Sequence, residues 1–181
     1  VVTGPGSELG NALIDHVDFV MFTGSTEVGR KVAERAARRL IPCSMELGGK
    51  NALIVLPDAD IQHAARVTIE GSFNNMGQVC INFERAYVHS QVYDAFVEEL
   101  VSQTRQLRLG TGGDFSTDLG CLSSQAQLRS VEEYVEDDVS QGAQVLAGGK
   151  HRPDLGPLFY EPVILADVTP SMALHAEETF G

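Results

Sequence analysis

Cys80 stands in "FNNMGQVCINFER", residues 73–85, behind a Gly-Gln-Val turn and ahead of a strand-like run, "RAYVH". A cysteine thiolate is a strong nucleophile, and a thiol held on a loop can attack an electrophilic carbon. The competing reading is a small buried hydrophobe, since free cysteines are among the most buried residue types. No histidine lies close to Cys80 in sequence, so a base has to come from a spatial neighbour. Glu46, in "MELGGK", ends a strand-like run and precedes two glycines, where backbone can approach a ligand closely. The carboxyl edge of a parallel sheet is where open α/β folds place their sites. On position alone, a glutamate at a strand end is also an ordinary surface residue.

Two further stretches could bind rather than react. In "FTGSTEVGR" Gly24 closes an apolar strand and Ser25 and Thr26 open a helix, so free N–H groups point outward at a helix start, a place for a pyrophosphate. The stretch is not a G-x-G-x-x-G fingerprint. It nearly matches a P-loop, but Arg30 follows Gly29 where lysine is needed. A capped helix in an α/β sheet explains it equally well. In "EETFG" the carboxylates Glu177 and Glu178 precede an aromatic and a glycine, a pattern suited to a ligand contact.

The bulk numbers exclude several classes. The 181 residues suffice for one sizeable core or parts of two domains. A formal net charge of −12 argues against nucleic acid and anionic membrane surfaces. Part of that charge is local: "VEEYVEDDV", 131–139, reads as the solvated face of a helix. Three cysteines with no C-x-x-C pair form neither a disulfide framework nor a zinc site, so no metal is expected. Cys43 and Cys121 read as lying inside apolar strands and are expected in the core. No apolar run approaches the ~18 residues of a membrane span and no signal peptide is recognisable, so a cytoplasmic location is expected.

The elements that must position these residues alternate. "VVT" is expected as a strand, "SELGNALIDH" as a helix capped by Ser7, and "DFVMFTG" as a buried strand. The helix "STEVGRKVAERAARRL", started by Ser25 or Thr26, and the strand "IPCSMEL" follow. After Gly48-Gly49 come the strand "NALIVL", a turn at Pro57-Asp58, and the helix "ADIQHAARVTIEGSFNN", with Gly77 as its stop. Next are the strand "RAYVHS", the helix "VYDAFVEELVSQTRQLRLG", a loop over 110–118, the helix "SQAQLRSVEEYVEDDVSQG" and the strand "AQVLAGG". "LFYEPVILADV" and "MALHAEETFG" read as β-like. Strands alternating with helices at this spacing predict a parallel α/β fold.

Taken in order, "FTGSTEVGR", "MELGGKN", "GQVC" and "EETFG", with Cys80 34 residues after Glu46, resemble the aldehyde dehydrogenase superfamily over essentially the whole chain. "VDFVMFTGST", "RRLIPCSMELGGKN", "ERAYVHS" and "LFYEPVIL" are most similar to its succinate-semialdehyde dehydrogenase-like members. Members are much longer, so the chain resembles an internal portion. Residues 1–47 would be the end of a Rossmann-like NAD(P)-binding domain, and 48–181 an incomplete α/β catalytic domain. The resemblance implies that Cys80 is the nucleophile toward an aldehyde and that Glu46 is the base that hydrolyses the resulting thioester. It implies that Gly24, Ser25, Thr26, Gly29 and Leu47 lie along NAD or NADP. Glu178 would hold the nicotinamide ribose, Phe180 would pack near the ring, and the Cys80 N–H would supply half an oxyanion hole.

A small aldehyde as substrate and a homo-oligomeric parent, dimer or tetramer, follow from the same likeness. Two alternatives stand beside it: an acylating, coenzyme A-dependent relative, and a module that only binds cofactor or is structural. Glu46 speaks against the first, because acylating relatives characteristically lack a base there. The family's oxyanion-hole Asn and its adenosine-ribose contacts have no counterpart in this sequence. The isolated 181-residue chain is therefore expected to show little or no activity.

Overall fold

The chain divides into two compact units, Val1–Gly48 and Gly49–Gly181. The computed structural model describes residues 1–113 and 115–181; Asp114, in the loop expected over 110–118, lies outside the described residues. In the first unit α1 (Gly6–Ile14), β1 (Val20–Gly24), α2 (Thr26–Arg38) and β2 (Cys43–Leu47) follow one another. β1 and β2 pair in parallel, with Thr23 opposite Glu46 and Gly24 opposite Leu47. Parallel strands need a crossover, and α2 supplies it. Ser25 caps α2, its hydroxyl accepting from the Val28 N–H at 3.4 Å, while Arg35 and Arg38 in the last turn suit the helix dipole. Arg39 Nη1 donates to the Ile14 and Val17 carbonyls at 2.5 and 2.6 Å, satisfying acceptors at the end of α1.

Three expectations for this unit do not hold. "VVT" forms no strand: Val1 and Val2 are exposed and unpaired among the described residues, and without a ladder partner an extended segment turns its backbone to water. Pro5, not Ser7, precedes the first turn of α1, because its carbonyl already accepts from the Glu8 and Leu9 N–H groups at 3.0 Å. Ser7 then sits inside the helix. β1 is not buried on both faces either; Val20 and Phe22 are half-buried, but Met21 between them is 72% exposed.

In the second unit β3 (Ala52–Val55) and β4 (Arg85–Val88) form another parallel pair, crossed over by α3 (Ile61–Phe73) and followed by α4 (Tyr93–Thr104). Val55, Ala65, Ile69, Phe96 and Leu100 make one core where these helices meet the strands. Asp60 caps α3 by accepting from the His63 N–H at 3.0 Å. A second core gathers Met76, Leu119, Leu122 and Tyr160 under Leu128 and Val131 of α5 (Gln125–Ser140). β5 (Gln144–Ala147) pairs antiparallel with β6 (Ile164–Ala166) across a bulge. Among the described residues no helix is long and apolar enough to cross a membrane.

Corrections arise here too. Of the five carboxylates in "VEEYVEDDV", Asp138 is fully buried, because it lies on the inward stripe with Leu128, Val131 and Val135. Burial holds its carboxyl above the ordinary range, against the pull of the Leu174 and Ala173 amides, and neither oxygen completes a hydrogen bond among the described residues. "MALHAEETFG" is not β-like; it contains a 3₁₀ turn, Ala173–His175. Cys43 and Cys121 are exposed rather than in the core. Cys43 opens β2, and Cys121 stands outside any strand, flanked by Leu119 and Leu122, which take the buried positions.

Candidate active site

The carboxyl edge of the β1–β2 pair gathers the sequence-predicted residues of the first unit. Register puts Thr23 and Gly24 beside Glu46 and Leu47, and Ser25 and Thr26 continue from that edge into α2. Glu46 is exposed there. Gly29 is buried for a packing reason: a Cβ on it would lie 2.6 Å from Leu47 Cδ2. Its missing side chain lets α2 sit close on β2, which keeps the helix start at the strand end. Gly24 likewise has no room for a side chain, since a Cβ would lie 2.6 Å from the Phe22 ring. The Thr26 and Glu27 N–H groups take part in no hydrogen bond among the described residues, as expected for a first helical turn.

In the second unit α3 ends at Phe73, earlier than the sequence suggested, and the chain turns through three left-handed residues: Asn75 (φ 52°), Met76 (φ 60°) and Gly77 (φ 73°). Left-handed backbone costs a non-glycine residue roughly 1–2 kcal/mol. Here burial of Met76 in the second core offsets it, together with reciprocal 3.1 Å bonds between the Asn75 and Gln78 side chains and each other's carbonyls. Cys80 follows in an exposed turn.

The turn's backbone is tied on several sides. Asn51 Nδ2 donates to the Cys80 and Asn82 carbonyls at 2.9 and 3.0 Å, and buried Asn82 Nδ2 donates to the Gly77 carbonyl at 2.7 Å. Gln78 Oε1 accepts from the Ser123 N–H at 2.8 Å. The Cys80 N–H itself donates to nothing among the described residues. A fixed turn thus presents a thiol and an unused N–H together.

The loop is also seated on the last turn of α3. The Phe83 N–H donates to the Gly71 carbonyl at 2.9 Å, one of the acceptors a helix end leaves open. The Phe83 ring lies over Gly71, where a Cβ would come within 2.3 Å of it. Helix propensity favours alanine over glycine by about 1 kcal/mol. The ring contact is expected to reverse that sign: Gly71→Ala should destabilise the full-length protein by about 1–3 kcal/mol in urea unfolding, as overpacking does. Equal or greater stability of the alanine variant would mean that Phe83 moves freely.

The end of the "EETFG" segment that carries Glu178 and Phe180 meets the Gly77 turn, where a Cβ on Gly77 would lie 3.0 Å from the Gly181 carbonyl carbon. Burial pushes the Glu178 carboxyl above its ordinary range, the Gly49 amide pulls it down, Glu84 pushes it further up and Lys50 opposes that. Its Oε1 is buried without a partner among the described residues. An orphaned carboxylate oxygen suits a donor such as a ribose hydroxyl. Taken unit by unit, the orphaned Glu178 oxygen and the free N–H groups at the start of α2 are each of a chemistry that suits part of a nicotinamide dinucleotide.

Sequence reasoning missed Lys50, Asn51, Asn82 and Glu84, which build the frame around Cys80 and Glu178. The available signal was a polar or charged residue directly flanking each apolar strand start, in "GGKN" and "INFER". A cavity of about 440 Å³ within the second unit is lined by neither Cys80 nor Glu178, but Lys50, Asn82, Glu84 and Thr179 border it. It lies among core side chains such as Phe96, Leu100 and Tyr160.

The aldehyde dehydrogenase family matches residues 1–181. A protein of Mycobacterium ulcerans named putative succinate-semialdehyde dehydrogenase [NADP(+)] 2 is 49% identical over 181 residues, which are 100% of this chain and 35% of that protein. The glutarate-semialdehyde dehydrogenase of Pseudomonas putida is 42% identical over 183 residues, 100% of this chain and 38% of the relative. The crystal structure of succinate-semialdehyde dehydrogenase from Burkholderia pseudomallei superposes with a TM-score of 0.94 at 37% identity, covering 100% of this chain and 38% of that one. The chain thus spans little more than a third of the length of these relatives. With the fold, the motif order and the family match in agreement, the chain belongs to the aldehyde dehydrogenase family.

Proposed function

We propose that the full-length protein oxidises an aldehyde to a carboxylic acid with NAD(P)+ through a covalent intermediate on Cys80. The observation that carries this reading is the Cys80 turn, where an exposed thiol and an unused N–H share a backbone tied by Asn51, Asn82 and Gln78. The Cys80 thiolate attacks the carbonyl carbon to give a thiohemiacetal, and the Cys80 N–H donates to the oxygen that becomes negative. Bound nicotinamide supplies the hydride acceptor. Loss of hydride leaves a thioester on Cys80, and Glu46 takes a proton from water as that water attacks it. The acid and the free thiolate are released. Ser25, Thr26 and the α2 start, with Gly24, Gly29 and Leu47 shaping the edge, would hold the phosphates. Glu178 would accept from the nicotinamide ribose, and Phe180 would flank the ring.

The relatives support a substrate class, since their names specify succinate and glutarate semialdehydes. A short aldehyde with a carboxylate at its far end fits both names, and NADP is the cofactor in the first. The test is an aldehyde panel on the full-length protein with each cofactor. Succinate or glutarate semialdehyde should exceed butanal in kcat/KM by on the order of 10²-fold or more, the discrimination expected of a site that recognises the far carboxylate against an analogue lacking it. A flat panel would remove the substrate assignment, and turnover only with added coenzyme A would favour the acylating reading instead.

A further inference from the structure

Glu84 and Lys50 form an ion pair at 2.6 Å with both side chains only 5% exposed. Burying two charges is costly, so such a pair calls for a use beyond stability. Its remaining bonds all run to the segment behind Glu178. Lys50 Nζ donates to Thr179 Oγ1 at 3.2 Å. The Thr179 N–H donates to Glu84 Oε2 at 2.9 Å, and the Phe180 N–H donates to Glu84 Oε1 at 3.1 Å. From the other side, Gln127 Nε2 donates to the Thr179 and Phe180 carbonyls at 3.0 Å. Phe180 is meanwhile left-handed, with φ 56°, a conformation a phenylalanine keeps only where its surroundings over-determine it.

We infer that Glu84, charged and oriented by Lys50, is a positioning residue that holds the Glu178–Phe180 segment in its cofactor-binding conformation, with Gln127 as the second arm. This rests on the reading that Glu178 and Phe180 meet the nicotinamide half of the cofactor. The carboxylate occupies both N–H groups of a strained dipeptide, so the backbone is set before any ligand arrives. Glu84 also begins where Asn51 accepts, through its carbonyl, from the Glu84 N–H at 3.1 Å; Asn51 is the residue that ties the Cys80 turn. One frame therefore sets both the nucleophile's backbone and the cofactor segment.

The experiment uses the full-length protein and four variants, Glu84→Gln, Lys50→Met, the double variant and Gln127→Ala. It reads local amide exchange and the Kd for NADP+ and NAD+. Glu84→Gln should speed exchange in the peptide holding residues 178–181 at least about tenfold while α4 is unchanged. Cofactor affinity should fall about tenfold, and kcat by up to on the order of 10²-fold, as expected when a binding group moves by about an ångström. The double variant should be no worse than the poorer single one, because the two residues act as a unit.

A folded Glu84→Gln protein with unchanged exchange at 178–181 and unchanged cofactor affinity would overturn the inference. If Glu84→Gln fails to fold, Gln127→Ala decides in the same two measurements, since it removes only neutral bonds to the same dipeptide. Faster local exchange in a protein whose wild type binds neither cofactor would keep the clamp and sink the functional reading instead.

Discussion

Full-length protein carrying Cys80→Ala is expected to lose aldehyde oxidation by on the order of 10⁴–10⁶-fold while still binding cofactor. The size of the loss follows from the role proposed for the thiol. Without a nucleophile there is no tetrahedral adduct from which hydride can leave, and the preorganised N–H of residue 80 has no oxyanion to stabilise. The substitution itself is mild: the side chain is exposed, and the bonds that fix the turn are made by the Cys80 carbonyl and by Asn51, Asn82 and Gln78. Structure and cofactor affinity should therefore persist, which separates lost chemistry from lost folding. Cofactor titration followed by fluorescence, beside the activity assay, makes the check. Cys80→Ser should be nearly as inactive, because a hydroxyl at neutral pH is a far poorer nucleophile than a thiolate. An alanine variant retaining even a few per cent of wild-type turnover would place the nucleophile elsewhere, and exposed Cys43 and Cys121 would be next to test.

Glu46→Gln is expected to divide the reaction in two. The first half, attack and hydride loss, needs no base at residue 46, so one equivalent of reduced cofactor should appear rapidly. The second half needs a proton taken from water, and a carboxamide cannot take it. Steady turnover should then fall by on the order of 10²–10⁴-fold, the usual worth of a general base. Rapid mixing shows this as a burst followed by a nearly flat line, and mass spectrometry after acid quench should find the acyl group on Cys80. Added hydroxylamine should restore turnover, since it attacks the thioester without help. Because Glu46 is exposed at the end of β2, exchanging its charge for an amide should leave stability nearly unchanged. A variant with wild-type steady rates would mean that another residue activates water.

Much of this molecule was legible one residue at a time. Ser25 caps α2 as the sequence predicts, and Asp60 and Ser124, which sequence reasoning did not name as caps, cap α3 and α5 by the same local rule. Such signals are local: a hydroxyl or carboxylate that can reach an N–H three residues on does so whatever the rest of the chain is doing. Glu46 and Leu47 were placed at a strand end by the apolar run before them and the glycines after them. The joint order of four short motifs identified the family, since motif order survives in a sequence even where packing cannot be seen.

What tertiary structure decided is what sequence distance hides. Lys50 reaches Thr179 across 129 residues and Asn51 reaches Cys80 across 29, and no window of neighbouring residues contains either bond. The acidic run over 131–139 looked uniformly solvated because a helix wheel gives the periodicity of a face, not which carboxylate the packing of Ala173 and Leu174 will cover; Asp138 was covered. "VVT" had strand composition, but a strand is a property of two segments, and propensity carries no information about the second. Cys43 and Cys121 read as core by residue type and came out exposed, because burial is set by which side of a strand or link meets another layer. Short-range hydrogen bonding and periodicity wrote the elements into the sequence. The buried pair that holds the Glu178 segment exists only once β3, β4 and that segment meet, because its energy depends on desolvation that no single element can supply.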